Sequence, residues 1–159
     1  MELKKEYIQV KDSVKDWKEA ISVASKPLLD ENIITKNYQD KMIENVKTMG
    51  PYIVLSKDIA LPHARPEDGA NKSALSILKL KNRVNFSEEK DVNVIIALAC
   101  SNDDDHIKTL KYISEKLSNE DNYKELIETN DVNIIFKILN WKECFYEESF
   151  MCMWCRSRN

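Results

Sequence analysis

The chain has 159 residues, 24 of them basic and 27 acidic, with a net charge of -3 and a pI near 5.5. A chain of this length fits one domain, and about 150 residues hide roughly 70% of their unfolded surface, enough for a core without staples. The charges are interleaved, so no positive stripe follows a phosphate backbone and nucleic acid is excluded as the expected partner.

No stretch approaches the roughly 20 apolar residues of a membrane helix, and Met1-Glu2-Leu3-Lys4-Lys5 lacks the apolar run of a signal peptide. The expectation is a cytoplasmic protein that is not membrane-inserted. Cys100, Cys144, Cys152 and Cys155 are then expected as thiols, because a cytosolic redox poise disfavours structural disulfides.

Tyr7 to Val10 reads as a short strand. Asp12 or Ser13 is positioned to cap a helix whose apolar residues Trp17, Ala20, Ile21, Ala24 and Leu28 recur at helical spacing. Tyr38, Met42, Ile43 and Val46 repeat that pattern between Lys36 and Met49. Gly50-Pro51 ends this second helix, since Gly accepts a left-handed C-terminal conformation and Pro cannot continue the hydrogen-bond ladder.

Three extended segments are expected next, at Tyr52 to Ser56, Ala74 to Leu80 and Val92 to Cys100. The last is almost continuously apolar and reads as a central strand covered on both faces. Ile107, Leu110, Ile113 and Leu117 mark a helix from about Asp104 to Leu117. Shorter helices follow near Tyr123 to Glu128 and Val132 to Leu139. Helices before and after a small sheet predict an α/β sandwich, with a domain over residues 1–140. Residues 141–159 have neither strand alternation nor helical period and form an atypical C-terminal tail.

Candidate chemistry centres on the two histidines, His63 and His106. Only two Gly and four Pro occur in the chain, yet both glycines and three prolines fall between positions 50 and 69, around His63. Pro62 biases Leu61 toward extended backbone, and Pro66 with Gly69 makes the following loop stiff at one end and permissive at the other. The imidazole is expected at a rim, partly exposed.

Neutral imidazole is a competent nucleophile near physiological pH because its ordinary pKa is about 6.5. It can accept a phosphoryl group without a separate base. Arg65 can neutralise charge on the transferring oxygens, and His106, near a helix start, can add hydrogen bonds and nearby backbone donors. Asp103, Asp104 and Asp105 read as helix-capping charges, and Glu67 and Asp68 as loop charges or an Asx-type turn. Either histidine alone is more readily a structural residue; the two together bring the catalytic reading level with the structural one.

The order Gly50-Pro51-Tyr52, then Pro62-His63-Ala64-Arg65-Pro66-Glu67 and Val84-Asn85-Phe86 resembles the enzyme IIA component of bacterial sugar phosphotransferase systems, mannitol and fructose class. Within that class it is most similar to the ascorbate-type branch. The similarity extends over about residues 5 to 140 and stops before the tail.

The resemblance implies a phosphocarrier: His63 takes a phosphoryl group from the carrier protein HPr and passes it to a cysteine of an enzyme IIB subunit. That subunit serves an enzyme IIC permease, with L-ascorbate the implied carbohydrate. His106 matches the second active-site histidine, in a supporting role. Mannitol-type members carry an arginine on the helix before the motif, where this chain has Lys47, Thr48 and Met49, so the charge-neutralising role falls to Arg65.

No cofactor is implied. Zinc held by His63, His106, an aspartate and Cys100 is disfavoured, because the only short paired spacing, Cys152-x-x-Cys155, has no second pair to close a tetrahedron. An IIA-like module that regulates another protein through its phosphorylation state would use the same histidine and stays open.

Overall fold

Helix α1 (Trp17–Asp30) starts one turn later than Asp12 or Ser13 would place it. Asp16 is the cap, accepting the Glu19 N–H at 2.9 Å. The expected face, Ala20, Ile21, Ala24 and Leu28, is buried. Pro27 lies inside this helix and has no N–H for the Val23 carbonyl. Gln9 Nε2 donates to that oxygen at 2.6 Å, so strand β1 (Ile8–Lys11) repairs the ladder the proline breaks.

Helix α2 (Lys36–Met49) is capped by Thr35, whose hydroxyl accepts from Tyr38 N–H, and it ends at Gly50 with φ 78°. It packs on α1 partly through a polar contact: buried Gln39 donates to Ser22 O at 3.1 Å and to Ser25 Oγ at 2.8 Å. The computed structural model describes residues 1–140. The expectation of an atypical tail over 141–159, and the three cysteines in it, lie outside the described residues.

The extended segment expected at Tyr52 to Ser56 is a correction. Pro51 starts a turn there, with Tyr52 N–H bonded to Gly50 O and Val54 N–H to Pro51 O. Only Val54 makes a bridge, to Ala60. The neighbouring strand is β2 (Ile59–Ala60), two residues long and immediately upstream of Leu61-Pro62-His63.

Strand β3 (Ala74–Ser87) runs seven residues past the expected end at Leu80, and β4 (Lys90–Ala99) returns beside it. Lys81, Asn82 and Arg83 are exposed and break the apolar alternation, so periodicity misses them. The backbone ladder continues across a register shift between Lys79 and Val84. The sheet order is β1-β3-β4-β2, with β3 and β4 antiparallel and both edge strands parallel to their neighbours.

Every residue from Val92 to Cys100 is buried, and successive strand residues point to opposite faces, so the central strand is covered on both sides as expected. Helix α1 lies across β3 and β4, where Ser76 Oγ donates to Ala24 O. Helices α3 (Asp103–Ser118), α4 (Glu120–Glu128) and α5 (Val132–Leu139) supply the remaining cover, each with a side-chain cap at its start, Asn102, Asn119 and Asp131. This is the expected α/β sandwich with a small mixed sheet. Among the described residues no helix is long and apolar enough to cross a membrane.

Gly69 closes the loop that follows His63. Its φ is +127°, and a Cβ there would sit 1.9 Å from Thr35 Oγ1, while its carbonyl accepts Thr35 N–H at 2.9 Å. Gly69→Ala is therefore expected to lose about 1–3 kcal/mol of stability, from backbone strain and the clash with the α2 cap. Urea unfolding of the two proteins checks this, and equal midpoints would refute it.

Candidate functional site

His63 follows directly from a strand tied down on both sides. Leu61 N–H donates to Ile53 O at 2.8 Å, and Leu98 N–H of β4 donates to Pro62 O at 3.0 Å. Buried Tyr38 of α2 then fixes the next peptide: its hydroxyl accepts Ala64 N–H at 3.2 Å and donates to Leu98 O at 2.8 Å. The imidazole therefore leaves a backbone that the sheet and a helix both hold.

The ring itself is half-buried, as the proline-bracketed loop predicts. Its Nδ1 lies 2.8 Å from Leu61 O. A carbonyl can only accept, so this contact selects the tautomer with the proton on Nδ1 and leaves the Nε2 lone pair free. Burial pushes the His63 pKa below its ordinary value; the Leu61 bond opposes this, and His106 adds to it. The neutral, nucleophilic form thus persists to lower pH than in a free histidine.

Arg65 lies two residues on, exposed, where the chain enters a short 3-10 turn at Pro66–Asp68. Asp68 organises that turn: its carboxylate accepts Arg65 N–H at 3.1 Å, and its carbonyl accepts from Asn37 Nδ2 at 2.8 Å. This agrees with reading Asp68 as a turn residue.

His106 sits in the first turn of α3, which begins just beyond β4. Asn102 caps that helix by accepting Asp105 N–H at 2.8 Å, and Asp105 also receives a hydrogen bond from Ser73 Oγ at the head of β3. Three carboxylates, Asp103 to Asp105, already occupy the helix's positive end. What His106 contributes is its ring rather than a vacant anion site on the backbone. The two imidazoles have centroids 5.0 Å apart at 47°.

His63, Arg65 and His106 line one open cleft of about 430 Å³. Tyr52 closes a side, edge-on to His63 with centroids 6.0 Å apart. The α2 wall is made by Lys41, Asn45 and Met49, not by Lys47 or Thr48. Residues four apart share a helix face, so the side chains compared at 47–48 in the sequence lie off the face that matters. Sequence reasoning missed Lys41 as a wall residue and Tyr38 as a clamp. The polar hydroxyl on an otherwise apolar helix stripe was the available signal for Tyr38.

Cys100 does not line this cleft. It is buried, and burial pushes its thiol up to about 11, so the thiol is protonated at neutral pH and a poor nucleophile. Among the described residues no three His, Cys, Asp or Glu side chains are grouped as a metal ion would require.

The fold and site together define a small α/β protein built to present one oriented imidazole beside another. The family profile of the phosphoenolpyruvate-dependent sugar phosphotransferase system, EIIA 2, matches residues 1–142. The chain belongs to that family and is a sugar phosphotransferase component.

A mannitol-specific cryptic phosphotransferase enzyme IIA component of Escherichia coli K12 is 36% identical over 121 residues, covering 76% of this chain and 82% of the relative. The solution structure of the mannitol-specific cryptic enzyme IIA CmtB from Escherichia coli superposes with a TM-score of 0.78 at 34% identity, covering 84% of this chain and 91% of that one. An ascorbate-specific EIIA component of Escherichia coli K12 is 25% identical over 122 residues, covering 75% and 79%.

Two outcomes follow from this geometry. Tyr38→Phe removes both hydroxyl bonds and leaves buried Ala64 N–H without its partner, at an expected cost of about 1–3 kcal/mol in urea unfolding. The second concerns pH. A histidine whose folded pKa lies below its unfolded one adds a stability penalty as pH falls below about 6.5, complete once the folded value is passed. NMR titration is expected to place the His63 midpoint below 6.5, and His106→Gln to raise it by removing the neighbouring charge; a midpoint at or above 6.5 in the unaltered protein would contradict the assignment.

Proposed function

We propose that this protein is a phosphohistidine carrier that takes a phosphoryl group from HPr on His63 Nε2 and delivers it to a cysteine of an enzyme IIB subunit. The observation that carries the reading is the Leu61 carbonyl held 2.8 Å from Nδ1, which directs the free lone pair of His63 to Nε2, beside His106.

In the accepting step the Nε2 lone pair attacks phosphorus and the donor's P–N bond breaks. The donor imidazole keeps that electron pair and the proton on its other ring nitrogen, and so leaves neutral. His63 becomes a phosphorylated ring still protonated at Nδ1, and the Leu61 carbonyl offsets the positive charge that develops there. In the delivering step a thiolate attacks phosphorus, and the pair returns to Nε2. Neither step needs water, a metal or a general base on this chain.

Arg65 and His106 supply charge and hydrogen bonds to the phosphoryl oxygens. Positioning and electrostatics provide most of the acceleration in such transfers. With ring centroids 5.0 Å apart, the second ring is near enough for a phosphoryl oxygen on His63 to reach it.

The surface supports protein partners. The large apolar side chains that stand exposed among the described residues are Met49, Tyr52, Leu55 and Ile107. Met49 and Tyr52 line the cleft, and Ile107 follows His106. Exposed apolar groups gathered at one site mark contact surfaces.

An enzyme IIA does not touch the transported sugar, so the cleft does not name it. The ascorbate-type motif makes L-ascorbate the first carbohydrate to test, with mannitol beside it. On this reading the chain works in the cytoplasm, and its downstream partners are an enzyme IIB subunit and, through it, an enzyme IIC permease.

Phosphoenolpyruvate, enzyme I and HPr should produce an acid-labile, base-stable adduct on this protein. His63→Ala is expected to take no label, whereas His106→Ala still accepts phosphate but passes it to enzyme IIB about 10- to 100-fold more slowly, the loss of one supporting hydrogen bond to a charged group. Labelling of His63→Ala at the wild-type level would overturn the proposal.

A further inference from the structure

A phosphoryl group on His63 brings nearly two negative charges into a cleft whose walls already carry Asp68 and Asp103. Among the described residues, the cleft's permanent cations are Arg65 and Lys41. Arg65 is exposed on a loop, whereas Lys41 projects from the middle of α2, a helix anchored to the sheet through Tyr38 one turn before it. Lys41 is thus the better fixed of the two.

In the resting structure Lys41 Nζ pairs with Glu44 at 2.7 Å, with side chains 40% and 55% exposed. Glu44 is one turn along the same helix and does not line the cleft. Pairs this exposed contribute little to stability, so the partner is readily exchanged. The four-carbon stem lets a compact ammonium swing between two anions from one backbone position. Glu44 and, less strongly, Asp68 in the His63 loop favour the Lys41 charge, and Asp68 and Lys41 line the same cleft.

We infer that Lys41 is a catalytic cation of the transfer step: it leaves Glu44 and binds a phosphoryl oxygen as phosphate arrives on His63. The inference rests on the phosphocarrier reading and adds to it the residue on the α2 wall that holds the phosphate's charge. Lys41 forms no covalent bond and moves no proton. Its ammonium remains protonated throughout, and the exchange of Glu44 for phosphate keeps it paired in both states.

The test uses the whole protein with two donors, phospho-HPr and the small molecule phosphoramidate, and follows phosphohistidine by phosphorus NMR. Lys41→Met is expected to slow labelling about tenfold with both donors, the usual effect of deleting one charged hydrogen-bond donor. It should also raise the second pKa of the bound phosphoryl group, since the dianion loses a cation. Lys41→Arg is expected to restore most of the rate, and Glu44→Gln, which frees the ammonium, to increase it.

Wild-type labelling of Lys41→Met by phosphoramidate with an unchanged phosphoryl pKa would refute the role. Slowing with phospho-HPr alone would likewise refute it, by making Lys41 a docking contact. Failure of the unaltered protein to label from either donor is a separate result, which removes the phosphocarrier reading itself.

Discussion

The Tyr38 hydroxyl is the constraint on which the site depends. It bonds at once to Ala64 N–H, next to His63, and to Leu98 O, near the end of the central strand. Leu98 N–H in turn reaches Pro62 O. One residue of β4 therefore holds the peptides on either side of the histidine, directly and through Tyr38. The same strand runs on through Cys100 into α3, which carries His106. The spacing of the two rings is thus set by a short path through the most deeply buried part of the sheet, not by the exposed loop that follows His63.

This explains why a loop with little regular structure can hold a reactive side chain. A buried hydroxyl with both of its roles satisfied is costly to displace, because any other arrangement strands a backbone group away from water. Gly69 tightens the far end of the loop against the α2 cap, where no side chain fits. His63 is half-buried at little electrostatic cost, because the neutral ring is the form that burial favours. Desolvation and the Leu61 carbonyl act on different properties of one ring, its charge state and its tautomer.

How much of this is legible in the chain divides along physical lines. Helices α1 and α2 announce themselves because burial of one face imposes a 3.6-residue period, and β4 because burial of both faces imposes an unbroken apolar run. The turn after Pro51 and the exposed half of β3 escape, since backbone hydrogen bonds hold both and leave no mark on hydrophobicity. Asp16 rather than Asp12 or Ser13 caps α1, a choice among nearby polar residues that only backbone geometry makes. In the site, His63, Arg65 and His106 are readable because proline, glycine and a helix start surround them. Tyr38 and Lys41 are not, because their partners are 26 and more residues away or belong to a helix face whose orientation the sheet decides.

The cleft's openness fits a carrier rather than a hydrolase. An enzyme that attacks phosphate with water must position that water and activate it. A relay needs the opposite, a phosphoryl group shielded from water only while a partner covers it. Here the His63 ring lies at a rim, with Met49 and Tyr52 as exposed apolar groups of the same cleft. A few such side chains favour short-lived contacts, since tight association requires a much larger and better packed core of apolar surface. On the proposed relay that weakness is useful: donor and acceptor must occupy the same face in turn, so each has to leave before the next transfer begins.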